Sequence, residues 1–162
     1  MASAEEAADP TVRLQRALDL AYRFLGRRDR TVAEVRRHLA AKEVDEASIE
    51  AAVAELEEQG YLDDARYALR FAEDRRALDG WGGERIERRL QAAGAPAEHV
   101  AAALATQDPE GELEAAVELL RRRFAEPPRS DRDRERALAS LVRKGYELDL
   151  AYDAVRAFER AG

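Results

Sequence analysis

Few side chains in this 162-residue sequence have the types and spacing that catalysis or metal binding requires. The chain has no cysteine, which excludes a thiol nucleophile, a disulfide framework and a cysteine-based zinc site. Its two histidines, His38 and His99, are far apart, and each is next to an apolar position of a predicted helix. We interpret both as helix residues, partly buried or at the surface. We expect no enzyme activity, no cofactor and no metal ion.

Two short motifs resemble chemical sites but have simpler structural interpretations. Asp63 and Asp64 are adjacent carboxylates at the start of a predicted helix, where they serve as an N-cap and as a first-turn acid favoured by the helix dipole. The segment Gly80-Trp81-Gly82-Gly83 is glycine-rich, but it lacks the spacing of a dinucleotide-binding fingerprint and follows no strand. We interpret it as a tight turn between helices, with Trp81 either inserted as a plug or exposed for contact.

Arginine is the residue type whose pattern suggests a function. Three three-helix units are predicted, over residues 11–60, 61–108 and 109–162. Basic residues gather at the ends of the first helix of each unit, and more lie on the middle helix of each unit. They are Arg27, Arg28, Arg30, Arg75, Arg76, Arg121, Arg122 and Arg123, then Arg36, Arg37, Arg85, Arg88, Arg89, Arg132, Arg134, Arg136, Arg143 and Lys144. Arginine at a helix C-terminus also complements the helix dipole, but that does not explain the middle-helix arginines. The repetition predicts a basic stripe, suited to an acidic groove or a phosphate backbone.

The chain as a whole is acidic, with a formal net charge of -7. Because a dedicated DNA-binding domain is usually strongly basic, this charge counts against nucleic acid as the main partner, although a local basic face remains compatible with it. No apolar run approaches the ~20 residues that cross a membrane. The segment Met1 to Asp9 lacks the basic and apolar regions of a signal peptide. We therefore expect a cytoplasmic protein with no membrane partner. We also expect it to be a monomer.

The elements that must position these side chains are helices. Alanine, leucine, glutamate and arginine dominate the composition, which favours helix, and strand-like alternation is missing. The predicted fold class is therefore all-α. Residues 1–10 are expected to lack order, and three-helix units are predicted over residues 11–60, 61–108 and 109–162.

A common spacing of 51 residues relates the three units. Four apolar columns recur at this offset: Val35, Ile86 and Ala137; Leu39, Leu90 and Leu141; Ile49, Val100 and Ala151; Val53, Leu104 and Val155. A fifth column, where the middle helix stops, contains Glu43, Gly94 and Gly145, so we expect Glu43 to end its helix differently. Such a period marks a repeat, and small stacked repeats stabilise their neighbours. We expect three tandem three-helix repeats in an elongated, curved rod, although leucine- and alanine-rich helices also align by chance at many offsets.

The stretch Gly60-Tyr61-Leu62-Asp63-Asp64, followed by Tyr67-Ala68, resembles the signature of the RecX family of bacterial recombination regulators. In that family the pattern is glycine, an apolar residue, Leu, Asp, Asp and then an aromatic-Ala pair. Further matches at the family's spacing are Leu25, Arg28, Thr31, Glu34, Val35 and Leu39, then Arg76, Gly80, Gly83, Ile86, Leu90 and Gly94, and then Leu141, Lys144, Gly145 and Tyr146. The resemblance covers about Leu18 to Phe158. Glu43 and Ala93 depart from it, where glycine and lysine are common.

The resemblance implies three tandem units and a function without catalysis. Family members are understood to bind the RecA recombinase, lodging in the groove of the RecA–DNA filament or blocking its growth. They thereby suppress ATP hydrolysis, strand exchange and co-protease activity, in the context of DNA repair, recombination and the SOS response. Two alternatives stay open. One is a helical-repeat protein that acts directly on DNA, or makes weak direct contact with it; the other is a generic helical scaffold.

The partner-binding residues are predicted on the basic stripe of the second and third units. Arg85, Arg88 and Arg89 lie three and four apart, so at least two share one helix face. The arginine face points away from the core, because Ile86 and Leu90 occupy the core-facing side of the helix. The alternative is a surface that only confers solubility. The full predicted set is Arg76, Trp81, Arg85, Arg88, Arg89, Arg143 and Lys144.

Overall fold

The computed structural model describes residues 9–161, which form nine α-helices and one π-helical turn and contain no strand. The helices are α1 (Pro10–Leu25), α2 (Val32–Ala41), α3 (Glu46–Glu58), α4 (Asp64–Asp74), α5 (Gly83–Ala92), α6 (Ala97–Leu104), α7 (Pro109–Arg123), α8 (Asp131–Lys144) and α9 (Leu148–Arg160). The π-helical turn Arg75–Asp79 continues α4. The prediction of an all-α fold is confirmed.

The first helix begins earlier than expected. Asp9 caps α1 by accepting a hydrogen bond from the Thr11 N–H (2.9 Å), and Pro10 occupies the first turn, where its missing N–H has no consequence. The helix therefore starts inside the segment 1–10 that was predicted to lack order. Residues 1–8 of that segment lie outside the described residues.

Side-chain caps also define the starts of α2 and α4. Thr31 and Glu34 form a capping box, each side chain accepting the other residue's N–H at 3.1 Å. Asp63 accepts the Arg66 N–H at 3.0 Å, which confirms it as the cap of α4. Asp64 accepts the N–H of Val32 at 2.9 Å, so its carboxylate also holds the start of α2.

The chain divides into two compact units: Met1–Tyr67 with Ala93–Pro96, and Ala68–Ala92 with Ala97–Gly162. In the first unit, α1, α2 and α3 pack around one apolar core. Its buried members are Ala17, Ala21, Val32, Val35, Leu39, Val44, Ile49, Ala52, Val53, Leu56 and Leu62. The boundaries predicted after residues 60 and 108 describe repeats rather than compact units, and they stay a prediction.

In the second unit, α9 packs against α7 and α8, and α5 packs against α6. The core between α7, α8 and α9 contains Ala116, Val117, Leu120, Ala137, Leu141, Tyr146, Ala151, Ala154, Val155 and Phe158. Ile86 and Leu90 of α5 are fully buried as well. Of the predicted apolar columns, only Leu104 is half-buried rather than buried. The 51-residue spacing therefore identified the inward faces of the helices.

The three middle helices end in the same backbone conformation. Glu43 has φ +62°, and its counterparts Gly94 and Gly145 have φ +79° and +96°. All three residues adopt the left-handed conformation that commonly ends a helix. The prediction that Glu43 ends its helix differently is wrong, because the glutamate adopts the conformation that glycine adopts elsewhere.

Candidate functional site

A loop and a helix end meet through backbone hydrogen bonds in the second unit. The Gly82 N–H donates to the Lys144 carbonyl (2.8 Å), and the Glu84 N–H donates to the Gly145 carbonyl (3.0 Å). A Cβ atom on Gly82 would lie 2.6 Å from the Gly145 backbone. The close approach requires glycine at position 82, and the segment is the tight turn that the sequence predicts. We call this contact the loop–turn joint (residues 79–84 with 144–146).

Two side chains reinforce the loop–turn joint. Lys144 Nζ donates to the Asp79 carbonyl (2.9 Å), and Tyr146 Oη donates to the Gly80 carbonyl (3.1 Å). Tyr146 is only 2% exposed, and this burial raises the pKa of its phenol to about 12. The nearby carboxylate of Glu112 raises that pKa further, since a phenolate there would meet a second negative charge.

Trp81 lies half-buried at the edge of the joint, among arginine side chains. The guanidinium carbon of Arg85 lies 4.1 Å from the centroid of the Trp81 ring, and those of Arg89 and Arg75 lie 5.7 and 5.8 Å away. A cation over an aromatic face is attracted by the ring's electron density. Arg85 also donates from Nη1 to the Arg143 carbonyl (3.2 Å). Trp81 is thus held in place while part of its ring stays accessible.

We call Arg75, Trp81, Arg85, Arg89, Arg143 and Lys144 the Trp81 surface. Five of these six residues belong to the set predicted from sequence, so the structure brings most of that set together. Arg88 is exposed on the same helix as Arg85 and Arg89. Within residues 9–161, none of these three α5 arginines forms an ion pair, so their charges are available to a partner.

Arg76, the remaining member of the predicted set, contacts α6 and the residues after it. Its guanidinium donates to Thr106 Oγ1 (2.7 Å) and to the Leu104 carbonyl (3.2 Å). Burial lowers the pKa of Arg76, while the Glu112 carboxylate opposes that shift. These contacts give Arg76 a structural role in the second unit, and a role in partner binding stays a prediction.

Two residues of the π-helical turn, Arg75 and Leu78, were not in the predicted set. Arg75 forms an ion pair with Asp79 and lies near the ring of Trp81. Leu78 is 74% exposed, more than any other large apolar side chain among residues 9–161. A regular helix would place Leu78 two turns after Phe71 on the same half-buried face. The π-helical turn breaks that register, and π-turns often occur at functional sites.

Many arginines of the predicted basic stripe are already paired within each unit. In the first unit, Arg28 pairs with Glu34 (3.0 Å), and Arg36 pairs with Glu50 (2.8 Å). The Arg36 pair is exposed at both side chains and contributes little stability. Charge counting along the sequence therefore overestimated the free basic surface. Over residues 9–161 there is no group of three side chains arranged to hold a metal ion, and no helix is long and apolar enough to cross a membrane.

Comparison with known proteins identifies the family. The family model "RecX, first three-helix domain" matches residues 17–56, and "RecX, second three-helix domain" matches residues 63–104. The "Regulatory protein RecX" of Leptothrix cholodnii is 36% identical over 136 residues, covering 84% of this chain and 85% of that protein. The protein of the same name from Thermus thermophilus is 37% identical over 146 residues, covering 90% and 94%.

A solved structure has the same fold. The crystal structure of RecX from Lactobacillus salivarius matches with a TM-score of 0.80 at 18% sequence identity, covering 91% of this chain and 97% of that one. At this identity the likeness concerns the fold alone. Together with the sequence matches, it confirms the resemblance seen in the sequence: the chain belongs to the RecX family of regulatory proteins.

Proposed function

We propose that this protein is a negative regulator of the RecA recombinase. It binds RecA or the RecA–DNA filament and inhibits ATP hydrolysis, strand exchange and co-protease activity, acting as a cytoplasmic monomer without catalysis of its own. Membership of a family of regulatory proteins supports this proposal. The observation that carries it is the Trp81 surface, where an accessible aromatic ring lies beside Arg85 and Arg89, two arginines that form no ion pair with the described chain.

The composition of the Trp81 surface suits a protein partner. Tryptophan and arginine are the residues in which binding energy at protein interfaces most often concentrates. Leu78, three residues before Trp81, adds an exposed apolar side chain. Burying an apolar and aromatic centre while arginines meet acidic groups on the partner is the usual arrangement of such interfaces.

The rigidity of the loop–turn joint favours binding. Backbone hydrogen bonds hold the loop at Gly82 and Glu84, and Arg85 is fixed both by the Trp81 ring and by the Arg143 carbonyl. A surface that is already ordered loses little conformational entropy when a partner binds. The Trp81 surface can therefore bind without first rearranging.

The test is the inhibition of RecA ATPase activity on single-stranded DNA. The variant Arg85→Glu with Arg88→Glu and Arg89→Glu is expected to weaken inhibition at least tenfold, or about 1.4 kcal/mol of binding. Because Arg85 also holds the joint, the double variant Arg88→Glu with Arg89→Glu separates loss of contact from loss of structure. Each exposed substitution should change the free energy of unfolding by only about 0.5 kcal/mol.

A charge-matched control is available in the first unit. The variant Arg13→Glu with Arg23→Glu changes two exposed arginines that are neither in the predicted set nor in the basic stripe, and it should inhibit like the parent chain. If the folded triple variant at positions 85, 88 and 89 inhibits as well as the parent, the Trp81 surface is not the interface. If the parent chain leaves RecA activity unchanged, the proposed function is wrong.

A further inference from the structure

A second basic feature lies in the second unit, between the end of α7 and one face of α8. It is a recess of about 320 Å³ lined by Arg123, Arg132, Arg136 and Arg143, together with Phe124 and Glu135. Four guanidinium groups and one carboxylate give the lining a net charge of about +3 at neutral pH. We call the four arginines and the space between them the arginine recess. It occurs in a chain whose net charge is -7, so its sign is opposite to that of the molecule as a whole.

The recess arginines differ from the arginines next to them in sequence. Neighbouring arginines are paired: Arg122 with Glu118 (3.3 Å), Arg129 with Glu126 (2.9 Å), and Arg134 with both Asp131 (2.6 Å) and Glu159. Among residues 9–161, the side chains of the four recess arginines form no ion pair and no hydrogen bond, and all four are exposed. The Glu135 carboxylate offsets only part of their mutual repulsion, and a bound anion would relieve the rest.

The spacing of these arginines fits a linear anion. Arg132, Arg136 and Arg143 are at positions i, i+4 and i+11 of α8, so they lie along one face of that helix. At a rise of 1.5 Å per residue they form a row about 16 Å long, with a first step of about 6 Å. The small side chain of Ala139 lies between them and leaves the recess open. Arg123, at the end of α7, forms the opposite wall.

We propose that the arginine recess binds the phosphodiester backbone of a single-stranded nucleic acid. Protein interfaces are depleted of charge at their centre and rely on apolar anchors, whereas nucleic-acid interfaces are polar and strongly positive. None of the exposed large apolar side chains among residues 9–161 lines the recess, which favours a nucleic acid over an acidic protein segment. Phe124 adds an aromatic side chain to the wall, and grooves for single strands commonly combine cations with aromatic rings.

A single strand suits the size of the recess. A space of about 320 Å³ is large enough for one sugar–phosphate backbone. Arg143 lines the recess with its side chain and accepts a hydrogen bond from Arg85 with its carbonyl, so the recess adjoins the Trp81 surface. Binding of nucleic acid here does not depend on the proposed binding of RecA.

The experiment measures binding of the full chain to a fluorescein-labelled oligothymidylate by fluorescence anisotropy, without any other protein. Four phosphate contacts predict that the logarithm of the affinity falls with the logarithm of the salt concentration with a slope of about -3. The variant Arg123→Glu with Arg132→Glu and Arg136→Glu should bind on the order of a hundredfold more weakly, with a slope near -1. Far-UV circular dichroism checks its folding, and the corresponding Arg→Gln triple variant replaces it if it unfolds.

The control variant is Arg13→Glu with Arg23→Glu and Arg160→Glu, which makes the same change in net charge at exposed arginines outside the recess. It should bind within about twofold of the parent, because phosphate contacts act locally at physiological salt. Three results would overturn the proposal: a folded recess variant that binds like the parent, a control that loses as much affinity, or tighter binding of a duplex or a polyglutamate peptide than of the single strand. Since RecA is absent, none of these results bears on the Trp81 surface.

Discussion

The turn that ends α2 and the turn that ends α8 have the same backbone hydrogen bonds but different residues. In each, the N–H of the left-handed residue donates to the carbonyl three residues earlier, at 3.0 Å for both Glu43 and Gly145. The next N–H donates to the carbonyl five residues earlier, at 3.1 Å for Val44 and 3.2 Å for Tyr146. Both turns therefore have the hydrogen bonds of a Schellman motif, one with glutamate where the other has glycine.

The surroundings of the two turns explain the difference. A Cβ atom on Gly145 would lie 2.7 Å from the backbone nitrogen of Arg85, whereas the side chain of Glu43 is exposed. The left-handed conformation alone disfavours a side chain by about 1 kcal/mol, which a folded unit can tolerate. A left-handed residue in close contact with another backbone segment has no room for a side chain. Glycine at this position of the repeat therefore marks close packing, while the end of the helix requires only the left-handed conformation.

The largest expected effect is that of Gly145→Ala. The added methyl group meets the backbone of Arg85 and also suffers the left-handed penalty, so the free energy of unfolding should fall by about 3 kcal/mol. Urea unfolding followed by the fluorescence of Trp81, the only tryptophan in the chain, measures this in the second unit. A change below about 1 kcal/mol would mean that the loop–turn joint yields easily.

Gly94→Ala serves as the matched comparison in the first unit. Its φ is similarly positive, but the single atom closer than 3 Å to the added Cβ is the Ala33 methyl carbon, at 2.5 Å. The expected loss is about 2 kcal/mol, read from thermal unfolding by circular dichroism. Combining it with Ala33→Gly should recover part of the loss, because that change removes the clashing methyl group. No recovery would show that the conformation rather than the contact is decisive.

Tyr146, the residue after Gly145, makes the stability of the second unit depend on pH. Burial raises the folded-state pKa of Tyr146 to about 12, above its ordinary value near 10. The neutral phenol is therefore favoured by folding, so its contribution is fully present below pH 10 and is lost as the pH rises from about 10 to 12. We expect the second unit to lose roughly 1–2 kcal/mol over this window. Tyr146→Phe should flatten that part of the pH profile, and identical profiles for both chains would contradict the assignment.

The inward faces and helix starts were predictable because their causes are local. The 51-residue columns place Leu39, Leu90 and Leu141 in the cores, and the caps at Thr31 and Asp63 depend on side chains within three residues. Residue types and their spacing in the sequence are therefore enough to predict inward faces and helix caps.

The loop–turn joint was not predictable in the same way. Its hydrogen bonds include one from the backbone of Gly82 to that of Lys144. Every residue type except proline can donate a backbone hydrogen bond, so the sequence shows only the glycines that allow the close approach. The π-helical turn also has no marker in the sequence, so the exposure of Leu78 could not be predicted. The structural role of Arg76 depends on two acceptors, Thr106 Oγ1 and the Leu104 carbonyl. Nothing in the sequence indicates that Arg76 lies next to these acceptors.

The smallest expected effect is a gain in stability from a substitution of Glu43, in the turn that ends α2. Glu43→Gly removes the left-handed penalty but adds chain entropy to the unfolded state, so the first unit should be stabilised by at most about 1 kcal/mol. Glu43→Ala is the control, since it removes the carboxylate but keeps the Cβ and should bring no such gain. Thermal unfolding by circular dichroism measures both. If alanine stabilises as much as glycine, the charge rather than the conformation explains the difference.

The two segments of the loop–turn joint are far apart in the sequence, and this affects when the joint can form during synthesis of the chain. Lys144 lies 65 residues after Asp79, whose carbonyl it binds. A ribosome adding about 5–20 residues per second needs roughly 3–13 s to make that intervening stretch. The segment around Trp81 therefore leaves the ribosome seconds before the turn that fixes it exists. The newly made chain carries an unassembled Trp81 surface until α8 and its final turn have emerged, so the proposed binding surface is complete only late in the production of each molecule.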